Sequence, residues 1–178
     1  MRCSHNGPRS QTQYNAYGDV WKTGQHGLWQ AENQYDNAGR LVRSNAGDGV
    51  WKYFGYDGNG NQTVAITSAG QDLSAQSFAG ALSLVGNADV NATSSVYDAR
   101  NMVVQSVEEG RQLSSSTAAT LTATRAYNAF GEVVSETNAA GATSELAYNS
   151  MGRMIRTIAP TVSITNEDGS VQWVRPVQ

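Results

Sequence analysis

Few residues in this sequence are of the types that perform catalysis or bind metal ions. The only histidines are His5 and His26, and each lies in a polar stretch beside glycine or asparagine, which predicts a loop position. Two histidines are thin support for a Ser-His-Asp triad or a histidine metal site. Cys3 is the single cysteine, so an internal disulfide and a multi-cysteine zinc site are excluded, and we expect a free thiol near the terminus.

Asp57, Asn59 and Asn61 have the spacing with which a calcium-binding loop begins. Such a loop requires glycine at its sixth position and a bidentate glutamate at its twelfth, where this chain has Gln62 and Ser68. The segment therefore predicts a turn.

Acidic residues stand side by side at Glu108-Glu109 and at Glu167-Asp168. Adjacent residues on a strand point to opposite faces, and at a turn both meet water, so neither pair suits a general acid and base. No other pair of carboxylates is a candidate for a glycosidase site. The sequence thus predicts no catalytic, cofactor-binding or metal-binding residue, and we expect no enzymatic activity.

Composition narrows the possible partners. Apolar residues make up 39% and charged residues 15% of the chain, which has 18 glycines and 3 prolines. In a typical globular domain about 45–50% of the residues are apolar and about 25% are charged. The 12 basic and 15 acidic residues give a net charge of −3, so nucleic acid is not an expected partner. No run approaches the roughly 18 apolar residues of a membrane span, and no apolar signal segment follows Met1.

A short motif recurs along the chain. Six of the eight tyrosines are followed by Asp or Asn, and the fourth position after each of them is Gly or Asn. The six are Tyr14, Tyr35, Tyr56, Tyr97, Tyr127 and Tyr148, at intervals of 21, 21, 41, 30 and 21 residues. Asp or Asn can bond to the backbone two residues on, and Gly or Asn tolerates the left-handed conformation that closes a hairpin. Each unit is therefore predicted to be a turn.

Strand-like runs flank these turns. Val50, Phe54 and Tyr56 share one parity while Trp51 and Tyr53 share the other, which predicts a strand with two different faces. Second turns are expected seven to ten residues further on, at 45–47, 68–70, 108–110 and 138–141. One period of about 21 residues is then two strands and two turns. We expect an all-β fold in which antiparallel β-hairpin repeats form a long, curved open sheet.

The pattern divides the chain. Residues 1–13 are expected to be an irregular N-terminal segment, residues 14–159 the repeat array, and residues 160–178 a partial further hairpin. Residues 71–95 lack the tyrosine, and they are either a degenerate unit with Phe78 in its place or an insertion with a short helix or loop over Ser74 to Val85. Residues 108–124 form a lengthened hairpin, with a long loop or an elongated strand pair over 111–124.

The units resemble the YD-repeat, or Rhs-repeat, family. The match is best from Gly39-Arg40-Leu41 through Tyr56-Asp57-Gly58-Asn59-Gly60, and Gly152-Arg153-Met154 repeats the start of the unit. Asn replaces Asp in three units, and Asn101 replaces Gly in one. The resemblance implies a piece of a longer array that spirals into a hollow shell, as in bacterial Rhs toxins, the B/C components of insecticidal toxin complexes, and teneurins. No D-P-x-G sequence is present, so the self-cleavage of larger members is not carried over.

The resemblance also implies function and partners. The chain is expected to help enclose a C-terminal toxin domain, in contact with neighbouring YD repeats, as part of a secreted or cell-surface protein. The alternative is a cell-surface carbohydrate-binding or adhesion module, in which exposed Trp21, Trp29, Trp51 and Tyr53 stack on sugars. Packing in a core or between hairpins is the competing use of those rings.

Overall fold

The computed structural model describes residues 9–25, 27–87, 89–114 and 117–178, with side chains described for all of these except 111–114 and 117–118. Cys3, His5 and His26 lie outside the described residues. Fourteen strands and one helix are described. The strands are β1 Ser10–Tyr14, β2 Val20–Gln25, β3 Leu28–Tyr35, β4 Leu41–Ser44, β5 Lys52–Tyr56, β6 Gln62–Ser68, β7 Val90–Tyr97, β8 Val103–Ser114, β9 Thr117–Tyr127, β10 Val133–Thr137, β11 Thr143–Tyr148, β12 Met154–Ile158, β13 Val162–Thr165 and β14 Val171–Val174; helix α1 is Phe78–Ser83.

Strands β1 to β12 follow one another in a single 12-stranded sheet in the order of the sequence, and β13 pairs with β14 in a separate two-stranded sheet. Each pair whose register is described is antiparallel, and the sheet is open. The prediction of an open antiparallel sheet of hairpin repeats is confirmed. In such a meander every second connection lies at the same end of the strands. Within each of the two compact units described below, the turns that follow the motif tyrosines therefore lie at one end of the strands, which we call their edge.

The chain divides into two compact units. Unit 1 comprises the residues up to Ser94 together with Glu109–Ala119, and unit 2 comprises Ser95–Glu108 and Thr120–Gln178. None of the described side chains of unit 2 is buried. The hydrophobic core lies in unit 1 and consists of Tyr53, Ile66, Leu73, Ala81, Val90 and Ala92.

An insertion between β6 and β7 builds that core. Tyr53, Ile66 and Ala92 lie side by side in the register of β5, β6 and β7, so they form one row on one sheet face. Leu73 and Ala81 come from the insertion and are fully buried. The Ser77 hydroxyl accepts a hydrogen bond from the Gly80 N–H at 3.1 Å and caps α1. Residues 71–95 thus contain helix α1 and the first residues of β7.

Three local predictions are wrong. The turn expected at 108–110 lies inside β8, where Gly110 has φ +79° and sits so close to β7 that a Cβ would come 2.5 Å from the Val90 carbonyl oxygen. Glycine there serves close approach and not a hairpin, and β8 and β9 form the elongated strand pair. Residues 68–70 lead into the insertion instead of a hairpin turn. Ser10 to Gln13, expected to be irregular, form most of β1; all four are polar, so they show no apolar alternation that would predict a strand.

The last hairpin extends unit 2. Strands β13 and β14 pair from Val162 with Val174 to Thr165 with Val171 around a turn that begins at Asn166. The amides and carbonyls of Thr157 and Gln178 exchange two hydrogen bonds of 2.8 Å, so the chain's last residues pair with β12.

Candidate functional site: the Tyr-Asx turns

The motif tyrosines occupy equivalent positions in their hairpins. In five hairpins the tyrosine ends its strand and pairs with the residue six positions later: Tyr14 with Val20, Tyr35 with Leu41, Tyr56 with Gln62, Tyr127 with Val133, and Tyr148 with Met154. The register shifts beside the tyrosine in each of them, as at a β-bulge, which increases the local twist. The repeat in the sequence is thus a repeat in geometry.

The Asx residue after the tyrosine closes the turn with its own side chain. In the Asp57 turn, Oδ1 accepts hydrogen bonds from the Asn59 and Asn61 backbone N–H groups, each at 2.9 Å. The same two bonds, to the second and fourth residues after the Asx, occur at Asn15, Asp36, Asp98, Asn128 and Asn149. One oxygen therefore satisfies two backbone donors, and Asp and Asn supply it equally well.

The third position after the Asx requires a left-handed backbone. Gly18, Gly39 and Gly60 in unit 1 have φ values of +91°, +77° and +90°. Asn101 takes the same place after Asp98 with φ +62°. Asparagine is among the few other residues that adopt this conformation at low cost, so the one departure from glycine keeps the turn.

In four of the six turns the side chain of the residue four after the Asx forms a hydrogen bond with the Asx side chain. Asp36 accepts from the Arg40 Nε at 2.7 Å, and Asp57 accepts from the Asn61 amide at 2.9 Å. Where the Asx is asparagine, the fourth residue after it supplies the acceptor in two turns: Asn15 donates to Asp19 at 3.0 Å, and Asn128 donates to Glu132 at 2.6 Å. The exchange of Asp for Asn in these units is therefore compensated within the same turn.

In three hairpins the motif tyrosine hydroxyl bonds to the hairpin that precedes it. Tyr35 donates to the Val20 carbonyl at 3.0 Å, and Tyr56 donates to the Leu41 carbonyl at 2.8 Å. In unit 2, Tyr127 donates to the Val103 carbonyl at 2.8 Å. In all three cases the acceptor lies at or next to the first residue of the preceding strand, at the edge that carries the Tyr-Asx turns. Burial raises the pKa of Tyr35, so this donor keeps its proton far above neutral pH.

Neighbouring turns also contact each other directly. The Arg40 guanidinium lies 4.9 Å from the Tyr56 ring centroid and donates to the Asp57 carbonyl at 3.0 Å. In unit 2 the Arg100 guanidinium donates to the Asn128 carbonyl at 2.7 Å. Together with the tyrosine hydroxyls, these bonds form a row of contacts that we call the turn ladder.

The aspartates of the turns are held in their ionised form. Backbone N–H groups do most of this at Asp36 and Asp98, where hydrogen bonds from Arg40 and Met102 lower the carboxyl pKa. At Asp57 the Asn61 side-chain amide is the largest cause of the lowered pKa. Each carboxylate thus accepts hydrogen bonds within its own turn and stabilises that turn.

The other residues considered from the sequence fall elsewhere. Asp57, Asn59 and Asn61 form a turn as predicted, and in the part of the chain that the structure describes no cluster of three acidic, histidine or cysteine side chains is placed to hold a metal ion. Glu167 and Asp168 lie at the β13–β14 turn, and Glu108 and Glu109 lie within β8. Tyr53 is buried beneath the insertion, so it packs in the core and is not exposed as the carbohydrate-binding alternative requires. Trp21 and Trp29 are exposed.

Residues 127–171, which span β10 to β13 and the turns at Asn128, Asn149 and Asn166, match the model of the family described as RHS Repeat. These residues are RHS repeats. The resemblance predicted from the Tyr-Asx units is confirmed. Outside the matched stretch, three hairpins have the same register and the same Asx bonds as the RHS repeats. Their first strands end at Tyr14, Tyr35 and Tyr56.

Two solved structures contain segments similar to this chain. In the crystal structure of TcdB2-TccC3-Cdc42 the similar segment has 16% identity and a TM-score of 0.44, and the match covers 94% of this chain and 9% of that one. For TcdB2-TccC3 the values are 13%, 0.36, 96% and 11%. This chain thus spans about a tenth of the length of those chains. None of the curated proteins compared with it matches.

In residues 9–25, 27–87, 89–114 and 117–178, no helix is long and apolar enough to cross a membrane.

Proposed function

We propose that this chain is a section of the wall of a larger RHS-repeat protein and helps to enclose a C-terminal toxin domain. The turn ladder is the observation that carries the proposal. It uses tyrosine hydroxyls and arginine guanidiniums to join one hairpin to the next, so side chains that recur in the units of this chain connect neighbouring hairpins. Such connections suit a wall because they add bonds between neighbouring hairpins at the edge where no turn joins them.

The side chains of the repeat also favour a mechanical role over a chemical one. The carboxylate oxygens of Asp36 and Asp57 accept hydrogen bonds from backbone N–H groups and from the side chains of Arg40 and Asn61. These bonds hold the two carboxylates in a turn-stabilising role. We propose residues 14–159 as the array and 160–178 as a further hairpin, within a bacterial protein that acts outside the producing cell. Its partners are neighbouring repeats and the enclosed domain.

Protection of the enclosed domain tests this function. The full reading frame that contains the chain is expressed, and the rate at which an added protease cleaves the C-terminal domain is measured. Tyr35→Phe and Tyr56→Phe together remove two hydroxyl contacts of the ladder, and we expect cleavage of the domain to become several times faster. Tyr17→Phe is the matched control, because the Tyr17 side chain is 88% exposed. A C-terminal domain that is cleaved freely in the unmodified protein would refute enclosure.

A second candidate function is binding of carbohydrate, and one groove in unit 1 favours it. Tyr14, Trp21 and Tyr35 line a groove of about 480 Å³ together with the amides of Asn33 and Gln34. Tyr14 is 59% exposed, so an aromatic ring is open to a sugar face. No charged side chain lines the groove, which suits a neutral glycan. Glycan binding that is saturable and abolished by Trp21→Ala would support this function, and its absence across neutral oligosaccharides would exclude it.

A further inference from the structure

A cavity in unit 1 lies between the sheet and the insertion. It has a volume of about 340 Å³ and is bounded by the turn-bearing ends of β3 to β5 and by the segment that leads into α1. The charged residues in its lining are Asp36, Arg40 and Arg43, so two positive charges stand against one negative charge. The wall function assigns this space no role.

The charges of Arg40 and Asp36 compensate each other. The Arg40 guanidinium forms an ion pair with the Asp36 carboxylate at 2.7 Å, and it also donates a hydrogen bond to the Asp57 carbonyl at 3.0 Å. The excess positive charge of the cavity lining therefore belongs to Arg43.

Arg43 has no carboxylate partner among the described side chains. Its guanidinium lies 3.9 Å from the Trp51 ring centroid and 5.1 Å from the Tyr53 ring centroid, and Nη2 donates to the Ser74 carbonyl. These contacts hold the planar group in place and leave its charge unneutralised. Arg125 in unit 2, by contrast, pairs with a carboxylate at 2.7 Å.

One donor of the Arg43 guanidinium is also unsatisfied. The Nε atom is buried, and no described group accepts a hydrogen bond from it. The Asp72 carboxylate lies within electrostatic reach of Arg43, but it accepts hydrogen bonds from the Ser74 backbone N–H and hydroxyl at 2.7 and 2.8 Å. A buried donor without an acceptor is costly, and more so on a charged group. An anion in the cavity would supply the missing charge and the missing acceptor.

The insertion side of the cavity is apolar. An ideal Cβ at Gly55 would lie 3.1 Å from Phe78 Cζ, so the phenylalanine ring rests against the backbone of β5. The ring remains 38% exposed and provides contact area for an apolar group of a ligand. The Gln34 amide, which also lines the cavity, already donates to Glu32 at 3.5 Å and is given no role.

From these observations we infer that the cavity binds a carboxylate attached to an apolar group, with the carboxylate paired to Arg43 and the apolar group against Phe78. One uncompensated positive charge matches a monoanion, and the two oxygens of a carboxylate match the planar fork of a guanidinium. Because Nε is buried, the guanidinium turns toward the bound carboxylate so that Nε can donate to it.

Two sources present this chemistry, a small apolar carboxylic acid and the apolar C-terminal residue of a polypeptide. The inference stands on the cavity and does not require that the chain enclose a toxin domain.

NMR of the ¹⁵N-labelled chain tests the site with phenylacetate as the probe. We expect saturable shifts of the Arg43 Nε–H and of the Gly55 backbone N–H. Phenylacetamide, which has nearly the same size and no charge, should bind at least about tenfold more weakly. N-acetyl-phenylalanine carries the carboxylate of a chain end. Tighter binding of this probe than of phenylacetate assigns the site to a C-terminal residue, and weaker binding assigns it to a small acid.

Variants separate the two contacts. Arg43→Gln should abolish saturable binding of phenylacetate, and Phe78→Ala should weaken it severalfold. Arg125→Gln is the matched control, because Arg125 does not line the cavity and already pairs with Glu136. The comparison of phenylacetate with phenylacetamide uses the unmodified chain, so it tests the inference even if Arg43→Gln fails to fold. Absence of saturable shifts, equal binding of the acid and its amide, or full binding by Arg43→Gln would overturn the inference.

Discussion

The Tyr56 hydroxyl donates a hydrogen bond to the Leu41 carbonyl 2.8 Å away and so joins the end of β5 to the start of β4. These two strands pair at Arg43 with Tyr53 and at Ser44 with Lys52, near the opposite edge. The hydroxyl thus closes the strand pair at the edge where no turn connects it. The tyrosine of the motif acts on the preceding hairpin, while the Asx beside it acts on its own.

Removing this hydroxyl should weaken unit 1. Tyr56→Phe leaves the Leu41 carbonyl without that donor, so we expect a loss of about 1 kcal/mol in the free energy of unfolding. Urea denaturation of the chain measures it. Tyr17→Phe, at an exposed turn position, should change stability by less than about 0.5 kcal/mol. Equal effects of the two substitutions would contradict the role given to the Tyr56 hydroxyl.

The pairing within a turn should be interchangeable between repeats. Asn128→Asp places a carboxylate beside Glu132, and we expect a loss of about 0.5–1 kcal/mol from like-charge repulsion and the lost amide donor. Adding Glu132→Arg reproduces the pairing of Asp36 with Arg40 and should restore most of the loss. Urea midpoints of the single and double variants test this. A double variant no more stable than Asn128→Asp would contradict the exchange.

Acid should weaken the turns that use aspartate. Asp36, Asp57 and Asp98 have carboxyl pKa values lowered in the folded chain, chiefly by hydrogen bonds from backbone or side-chain N–H groups. A lowered folded pKa contributes stability that is present above the unfolded value of about 4 and is lost as the pH falls through the folded pKa.

The acid effect is measured by urea unfolding between pH 7 and pH 2. We expect the urea concentration at the unfolding midpoint to decrease as the pH is lowered below about 4. Asp57→Asn should make this decrease smaller, because an amide oxygen keeps both turn bonds without titrating. Parallel pH profiles for the two proteins would show that the Asp57 carboxylate contributes nothing to acid sensitivity.

Unit 1 should depend on the insertion for its core. Leu73→Ala removes a fully buried side chain, and we expect a loss of about 2–5 kcal/mol in the free energy of unfolding. Leu82→Ala, in the same insertion, changes a side chain that is 45% exposed and should cost less than about 1 kcal/mol. Thermal and urea unfolding compare the two variants. Similar losses would mean that the insertion is not the packed cover described for β5 to β7.

Much of the fold follows from local sequence because hairpin turns are local. The positions of Asp57 and Gly60 are sufficient to predict a turn, since both the side-chain bond and the left-handed backbone involve residues within four positions. Gly110 shows the limit of this reasoning. Glycine is required there because the Val90 carbonyl, twenty residues away in the sequence, lies too close for a side chain. A polar strand such as β1 likewise cannot be predicted from its own sequence, because only pairing with its neighbour identifies it as a strand.

The turn ladder could not be predicted for the same reason. The motif indicates that Tyr56 is special, but its hydroxyl acceptor, Leu41, lies fifteen residues earlier and is recognised only when the strands are paired. Burial of Tyr53 depends on Leu73 and the insertion, whose sequence was compatible with a helix or with a decayed repeat. Long-range packing decided between these alternatives.

The complementary pairs at the Asx and four residues after it have a consequence for how such repeats diverge. A change from Asp to Asn is accompanied by an exchange of donor for acceptor at Asn128 and Glu132, whereas the Asn149 turn keeps the same two backbone bonds beside Arg153. Neighbouring units can therefore differ in sequence while each hairpin closes with an equivalent set of backbone bonds. Arg40 is an exception to this independence, because its guanidinium also binds the Asp57 carbonyl of the adjacent loop. Drift at such a position is therefore constrained by two units at once.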